Sequence, residues 1–430
     1  MKTAAKDFKM TELGPIPKNW EVKRLGELLE FKNGYNTDAS NFGKGVPFAS
    51  VLDALSDRPA TSKSILGRVV ATRKAEDEFS LTYGDLIFTR SSETLEDVGR
   101  SNVYVDRCQG AIFGGFVIRG RPIFKFDSVF LNYLLKDGAH RIRVYSQGAG
   151  AQHYNIGQTG LGRVSVTLPP FPEQRKIAAA LSDVDEMIAA LGKLIEKKRK
   201  IKTGAMQRLL TGKTRLPGFK GAWVEKRLGE MGETYNGIGG KTKDDFGKGP
   251  ARYITFLNVL TNPVLDETLF EPVNVLPADG QNRAKKGDLF FNTSSETPEE
   301  VGICSMLATD QAELYLNSFC FGFRLFDDNV SPLFLSYYFR SADGRLLMTT
   351  LAQGSTRYNL SKESFKEACI VIPPSLAEQK AVAKVLGDMD EEIAALVAEL
   401  AKTRQLKQGM MQELLTGKVR LPRAVTPVVE

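Results

Sequence analysis

Histidine and cysteine are almost missing from this chain of 430 residues, which has only His140 and His153 and only Cys108, Cys304, Cys320 and Cys369. The cysteines are widely spaced and never form Cys-x-x-Cys, so neither structural zinc nor a disulfide framework is expected. Long apolar runs are missing too. No segment approaches about 18 uninterrupted apolar residues, and the opening MKTAAKDFKM has charge but no apolar stretch. Neither export nor membrane insertion is indicated, and a cytoplasmic protein is expected.

The rest is ordinary for a globular protein: 42% hydrophobic and 25% charged residues, enough for two or more domains with real cores. The formal net charge of +7 and pI near 9.0 lean towards an anionic partner, although such a surplus alone is a weak signal. The basic run EKKRKIK, Glu196 to Lys202, falls on a long helix, where it is as compatible with a solvated or partner-facing surface as with DNA.

The chain is one unit written twice. WEVKRLGELLEFKNG from Trp20 answers WVEKRLGEMGETYNG from Trp223, and GDLIFTRSSETLEDVG from Gly84 answers GDLFFNTSSETPEEVG from Gly287, both 203 positions apart. GAQHYNIG from Gly150 corresponds to GSTRYNLS from Gly354. Each copy closes on an alternating segment and a proline pair, VSVTLPP and CIVIPP, which reads as a half-buried strand stopped by proline.

A heptad seam follows each proline pair. Ile177, Leu181, Val184, Ile188, Leu191 and Ile195 are matched 205 positions later by Val382, Leu386, Met389, Ile393, Leu396 and Leu400, as Ile201 is by Leu406 and Leu209 by Leu414. Helices of about 40 residues, on the order of 60 Å, are implied. One narrow apolar stripe on so long a helix needs a partner, most simply the other helix, with packing on its own globular domain as the alternative. A twofold relation would make the helices antiparallel and put the globular domains at opposite ends of the rod. The expected class is α+β: two similar globular domains, residues 1–170 and 213–373, with helices in 171–212 and 374–430.

MQRLLTGKTRLP and MQELLTGKVRLP, from Met206 and Met411, contain Gly-Lys-Thr or Gly-Lys-Val. A phosphate loop needs a glycine where Gln207 and Gln412 stand, and the second copy has Val419 in place of Thr214. The motif reads instead as a helix end capped by Gly212 or Gly417, with Pro217 or Pro422 beyond. The second copy is expected to dock its tail against GPIPKNW, Gly14 to Trp20, so that the two joints look alike.

The candidate binding residues lie on two paired loops. Arg90, Ser91, Ser92, Glu93 and Thr94 correspond to Thr293, Ser294, Ser295, Glu296 and Thr297, and offer hydroxyls and a carboxylate suited to phosphates or base edges. The alternative is a loop fixed by its own side-chain bonds. His153 and Tyr154 correspond to Arg357 and Tyr358, where the tyrosines suit packing as well as base stacking. Nuclease chemistry through Glu-x-Lys is not supported, since Leu95 and Pro298 occupy the lysine positions. The proline pairs are superficially like the Asn/Asp-Pro-Pro-aromatic motif of amino-methyltransferases, but Leu168 and Ile372 replace its polar residue. With no glycine-rich cofactor strand, an adenine methyltransferase lacks its machinery here, and a coiled-coil adaptor would leave the basic balance unexplained.

Over nearly its whole length the sequence closely resembles the specificity subunit of type I restriction-modification systems. The resemblance rests on W-x-x-K-R-L-G-E, the Gly-Asp-Leu strand, EQRKIAAALSDVDEMI from Glu173, EQKAVAKVLGDMDEEI from Glu378, and the doubled L-L-T-G-K-x-R-L-P. It implies a chain without catalysis of its own, in which each of two target-recognition domains reads half of a split site in double-stranded DNA. It further implies that the paired helices fix the spacing and bind two methyltransferase subunits, and that restriction subunits join for cleavage. S-adenosylmethionine, ATP and magnesium are then expected only on those partners. Half-sites about one turn apart, roughly 34 Å, would face the same side of the duplex.

Overall fold

The structure, a computed structural model, describes residues 7–107, 110–150 and 152–421, so Cys108, Ala151 and Pro422 fall outside the described residues. The Gly-Asp-Leu segments become strands Leu86–Thr89 and Leu289–Asn292, buried along their whole length. Side chains alternate across a strand, so Leu86 and Phe88 enter one apolar core and Ile87 another. Leu289 and Phe291 part from Phe290 in the same way. Each strand divides two cores within a four-stranded antiparallel sheet. The order is Leu29–Asn33, Val117–Pro122, Leu86–Thr89, Ser101–Val103 in the first copy. In the second it is Gly232–Asn236, Cys320–Leu325, Leu289–Asn292, Cys304–Met306. The motif's aspartates are buried and paired, Asp85 with Arg121 at 2.8 Å and Asp288 with Arg324 at 2.6 Å.

A three-stranded sheet accompanies each, with Phe42–Ala49 or Phe246–Ile254 at its centre between one parallel and one antiparallel neighbour. The alternating segments before the proline pairs, Ser165–Leu168 and Cys369–Ile372, pair with Glu21–Arg24 and Val224–Arg227. Each copy combines a four-stranded antiparallel sheet with short helices set between its strands and one long helix after them, which is the expected α+β class.

The long helices are Phe171–Leu209 and Leu376–Leu414, 39 residues each. The chain divides into two compact units, residues 1–192 with 399–430 and residues 193–398, so each unit takes half of either helix. In the second unit Lys198 pairs with Glu392 and Lys202 with Asp390, both at 2.5 Å. One number rises as the other falls, so the helices run antiparallel. In the first unit Lys407 meets Asp185 at 2.6 Å, and Arg420, past the helix end, meets Glu173.

The seam is apolar only in part. Ile177 and Leu181 are buried in the first unit's core beside Leu414 and Leu415, and Val382 and Leu386 in the second's beside Leu209 and Leu210. The helix starts are therefore core elements of their own globular parts as well as partners of the other helix. Leu191 is buried, while Val184, Ile188, Met389, Ile393 and Leu396 are half-buried. Ile201 and Leu406, aligned with the seam in the sequence, stand out at 45% and 58% exposure. The physical reason is the step: continuing the heptad from Ile195 and Leu400 leads to Lys202 and Lys407, not to their apolar neighbours. Each lysine lies over a tyrosine ring, Tyr337 at 5.4 Å and Tyr133 at 5.5 Å, whose hydroxyl donates to the same aspartate that the lysine pairs. A polar clamp thus completes the seam in both units.

The helices end as the doubled motif implies. Gly212 and Gly417 have φ of +69° and +70°, and the N–H groups of Thr214 and Val419 donate to the carbonyls of Arg208 and Glu413. Trp223 lies against Gly212, while Pro17 and Trp20 lie against Gly417. Arg215 engages Glu378 (Nη2 to Oε2 2.6 Å), and Arg420 engages Glu173 at 2.6 Å and Asn19 at 3.1 Å. The two joints are built alike. Among the described residues no helix is long and apolar enough to cross a membrane.

Candidate functional site

The two loops singled out in the sequence meet. Ser91–Ser92 pairs antiparallel with Tyr154–Asn155, Ser92 opposite Tyr154, and Ser294–Ser295 pairs with Tyr358–Asn359, Ser295 opposite Tyr358. Arg90 and Thr293 anchor these short ribbons. Their N–H groups donate to the carbonyls of Phe116 and Phe319, and their carbonyls accept from the N–H groups of Ile156 and Leu360, all at 2.9 Å. Three separate segments of each copy therefore converge at one point.

Glycine makes the turn into each ribbon. Gly150 and Gly354 have φ of +146° and +129°, and a Cβ there would lie 2.0 Å from the His153 carbonyl or 2.1 Å from that of Arg357. No L side chain fits either place. The turn carries His153 or Arg357 to the surface, both exposed.

Several predicted residues hold the loop rather than face solvent. Ser91 Oγ donates to Asn155 Oδ1 at 2.5 Å, and Asn155 and Asn359 donate back to the carbonyls of His153 and Arg357 at 3.1 Å. Ser92 and Ser295 accept from the N–H groups of Thr94 and Thr297 at 3.2 Å, and Ser294 is buried. Tyr154 and Tyr358 are half-buried against the cores. Thr293 Oγ1 donates to the Phe319 carbonyl at 2.9 Å, and half-buried Arg90 reaches the Gly115 carbonyl at 3.4 Å. Glu93, Thr94 and His153 remain exposed in the first copy, with Glu296, Thr297 and Arg357 in the second. These are hydrogen-bonding groups on a fixed frame. Carboxylates accept from cytosine amino groups, and a guanidinium can bond guanine at two points.

Sequence reasoning missed the residues beneath the ribbons. Arg141 donates to the carbonyls of Glu96, Val98 and Gly99, and Arg345 to those of Glu299, Val301 and Gly302. Burial pushes the Arg141 guanidinium down to about 10 and lowers that of Arg345 too. One signal was available: both arginines recur at nearly the same offset as the loops they hold.

Fold and site together define a duplicated α+β protein whose copies share a scaffold and differ at an exposed turn. The chain belongs to the type I restriction modification DNA specificity family, whose domain matches residues 17–202 and again 220–403. It is 28% identical over 446 residues to the MjaX specificity subunit assigned to a type I restriction enzyme in Methanocaldococcus jannaschii, covering 96% of this chain and 97% of that one. The EcoKI specificity subunit of Escherichia coli K12 is 23% identical over 355 residues, 78% of this chain and 75% of that one. The crystal structure of the S subunit from M. genitalium shares the fold, with TM-score 0.58 at 16% identity over 92% of this chain and 96% of that one.

Proposed function

We propose that each unit reads one half of a split site in double-stranded DNA through its ribbon, and that the long helices set the spacing and carry two methyltransferase subunits. Restriction subunits join that complex for cleavage. The chain contributes recognition and no catalysis, while S-adenosylmethionine, ATP and magnesium are held by the partners.

The observation that carries this reading is the recurrence of one ribbon geometry with different exposed side chains, His153 in one copy and Arg357 in the other. Two readers of unlike half-sites need this arrangement: one fixed frame that presents a different hydrogen-bonding group at the same exposed point. Glu93, Thr94 and His153 are assigned to one half-site and Glu296, Thr297 and Arg357 to the other. Arg90, Ser91, Ser92 and Tyr154, with Thr293, Ser294, Ser295 and Tyr358, hold those groups in place.

Incubation with labelled methyl donor and DNA tests the division of labour. The purified chain should transfer no methyl group alone and should direct transfer to one bipartite site when its methyltransferase subunit is added. Methyl transfer by the chain alone, or equal methylation of unrelated duplexes by the complex, would contradict the proposal.

A further inference from the structure

Two rings beside the ribbons take part in no ring stacking or cation–π contact among the described residues. Phe116 and Phe319 stand 203 positions apart, the spacing that relates the two ribbons, and are 67% and 56% exposed. Each sits at the end of a tight turn, closed by N–H to carbonyl bonds from Val117 to Gly114 at 2.8 Å and from Cys320 to Asn317 at 3.4 Å. The carbonyl of each phenylalanine accepts the N–H of Arg90 or Thr293, the residue that opens the ribbon. The rings are thus displayed on rigid backbone next to the exposed polar set.

A single exposed apolar residue needs no explanation, but a repeated one on a fixed turn does. Leu52 and Leu257 are exposed in both copies as well, at 78% and 62%. In the first unit Leu52, Phe42 and Phe116 line one cavity of about 400 Å³ together with Asn36, Thr37 and Ser50. Phe42 opens the tetrapeptide Phe-Gly-Lys-Gly, which returns from Phe246. Its lysines, Lys44 and Lys248, are exposed and make no ion pair or hydrogen bond among the described residues. An exposed lysine without an ion pair among the described residues, two positions from the cavity-lining Phe42 in the first unit and repeated at Lys248 in the second, suits an anionic nucleic acid better than an apolar protein face.

We propose that Phe116 and Phe319 are base-contacting residues, one in each unit, that press an aromatic ring against the bases of their own half-site. The inference rests on the DNA-reading assignment above. It adds an apolar component to recognition, with the polar ribbon groups reading base edges and the ring packing on apolar base surface such as a thymine methyl, which only some base pairs present.

The test uses the complex of this chain with its methyltransferase subunit, a duplex carrying the bipartite site found by methylation mapping, and a scrambled duplex of equal length. Phe116→Ala and Phe319→Ala should each weaken binding to the specific duplex by roughly 10- to 100-fold, the range for losing the readout of one base pair. Binding to the scrambled duplex and the salt dependence should stay unchanged, because no phosphate contact is lost. Phe116→Trp should retain affinity, and mapping should show relaxation of one half-site per alanine variant. Unchanged specific affinity in both alanine variants overturns the proposal. So does failure of the variants to assemble with the methyltransferase subunit while complexes that do form bind DNA normally, since the rings would then be a protein docking surface. If the wild-type complex itself does not prefer the mapped site, the DNA-reading assignment has failed, a result separable from these because it concerns the unaltered protein.

Discussion

The helical hairpins of the two units, Ser128–Lys136 with Gly138–Tyr145 and Pro332–Arg340 with Ala342–Leu351, fill the same place with different chemistry. The first ends its leading helix in Lys136, whose one hydrogen bond among the described residues goes to the Ser56 carbonyl at 3.3 Å. Burial holds that ammonium down at about 8. At the corresponding place Arg340 forks to the carbonyls of Cys304, Val259 and Asn262, the last two at 2.7 Å. His140 is buried in the first hairpin, whereas the second has Gly344, where a Cβ would lie 2.1 Å from the Tyr338 carbonyl. One hairpin is spaced by an imidazole and the other closes backbone on backbone. The clamp tyrosines, Tyr133 and Tyr337, and the loop-holding arginines, Arg141 and Arg345, are kept in both. What the repeat preserves is the frame of the ribbon, while the packing behind it has been free to diverge.

That contrast can be pressed hardest at the joints. Glu378 is 2% exposed beneath Arg215, whereas Glu173 is 15% exposed beneath Arg420. Arg215→Ala strands a buried carboxylate and should cost about 3–5 kcal/mol, and Arg420→Ala about 1 kcal/mol or less. Denaturant unfolding followed by hydrogen exchange in each unit would resolve the two; equal losses would show that the joints are energetically alike. Next come the hairpin cations. Arg340→Ala leaves three carbonyls without their donor and should cost on the order of 3 kcal/mol, against about 1 kcal/mol for Lys136→Ala.

A smaller effect is expected on the sheet. Tyr235 lies across from Gly322, with its ring 2.1 Å from where a Cβ would be, while the matching position of the first unit carries Arg119. Gly322→Ala should destabilise the second unit by about 1–2 kcal/mol through overpacking, measured by the same unfolding assay. Tyr235→Ala should relieve much of that loss.

The smallest effect is a pH dependence confined to the first unit. Burial lowers the His140 imidazole below its ordinary 6.5, so below that pH the unfolded chain binds a proton that the folded unit does not. Stability from this group is therefore present above 6.5 and is lost as pH falls towards the folded value. Hydrogen exchange should show the first unit loosening below pH 6.5 more than the second, and His140→Gln should narrow the difference. An equal response in both units, unaffected by His140→Gln, would show that carboxylates dominate.

Much of the frame was legible from residue patterns because apolar periodicity and turn chemistry are local. The repeat, the Gly-Asp-Leu strands, the long helices and the capped joints all follow from such patterns. The pairing of Ser91–Ser92 with Tyr154–Asn155 was not legible, since nothing in either stretch marks a partner some 60 residues away. Lys202 and Lys407 were passed over for a related reason. An apolar heptad pattern points to Ile201 and Leu406, whereas the seam continues through the charged Lys202 and Lys407. The work of Arg141 and Arg345 is done on backbone carbonyls, so their recurrence at nearly the repeat's offset is the one mark they leave in the sequence.

The central claim is that each ribbon reads its own half of the site, and methylation mapping with a ribbon variant tests it most directly. DNA from cells expressing the wild-type chain with its methyltransferase subunit should carry methylation at one bipartite site. With Arg357→Ala, one half-site should relax while the other half and the spacer stay the same. Changes in both halves together, or an unaltered site, would contradict the account.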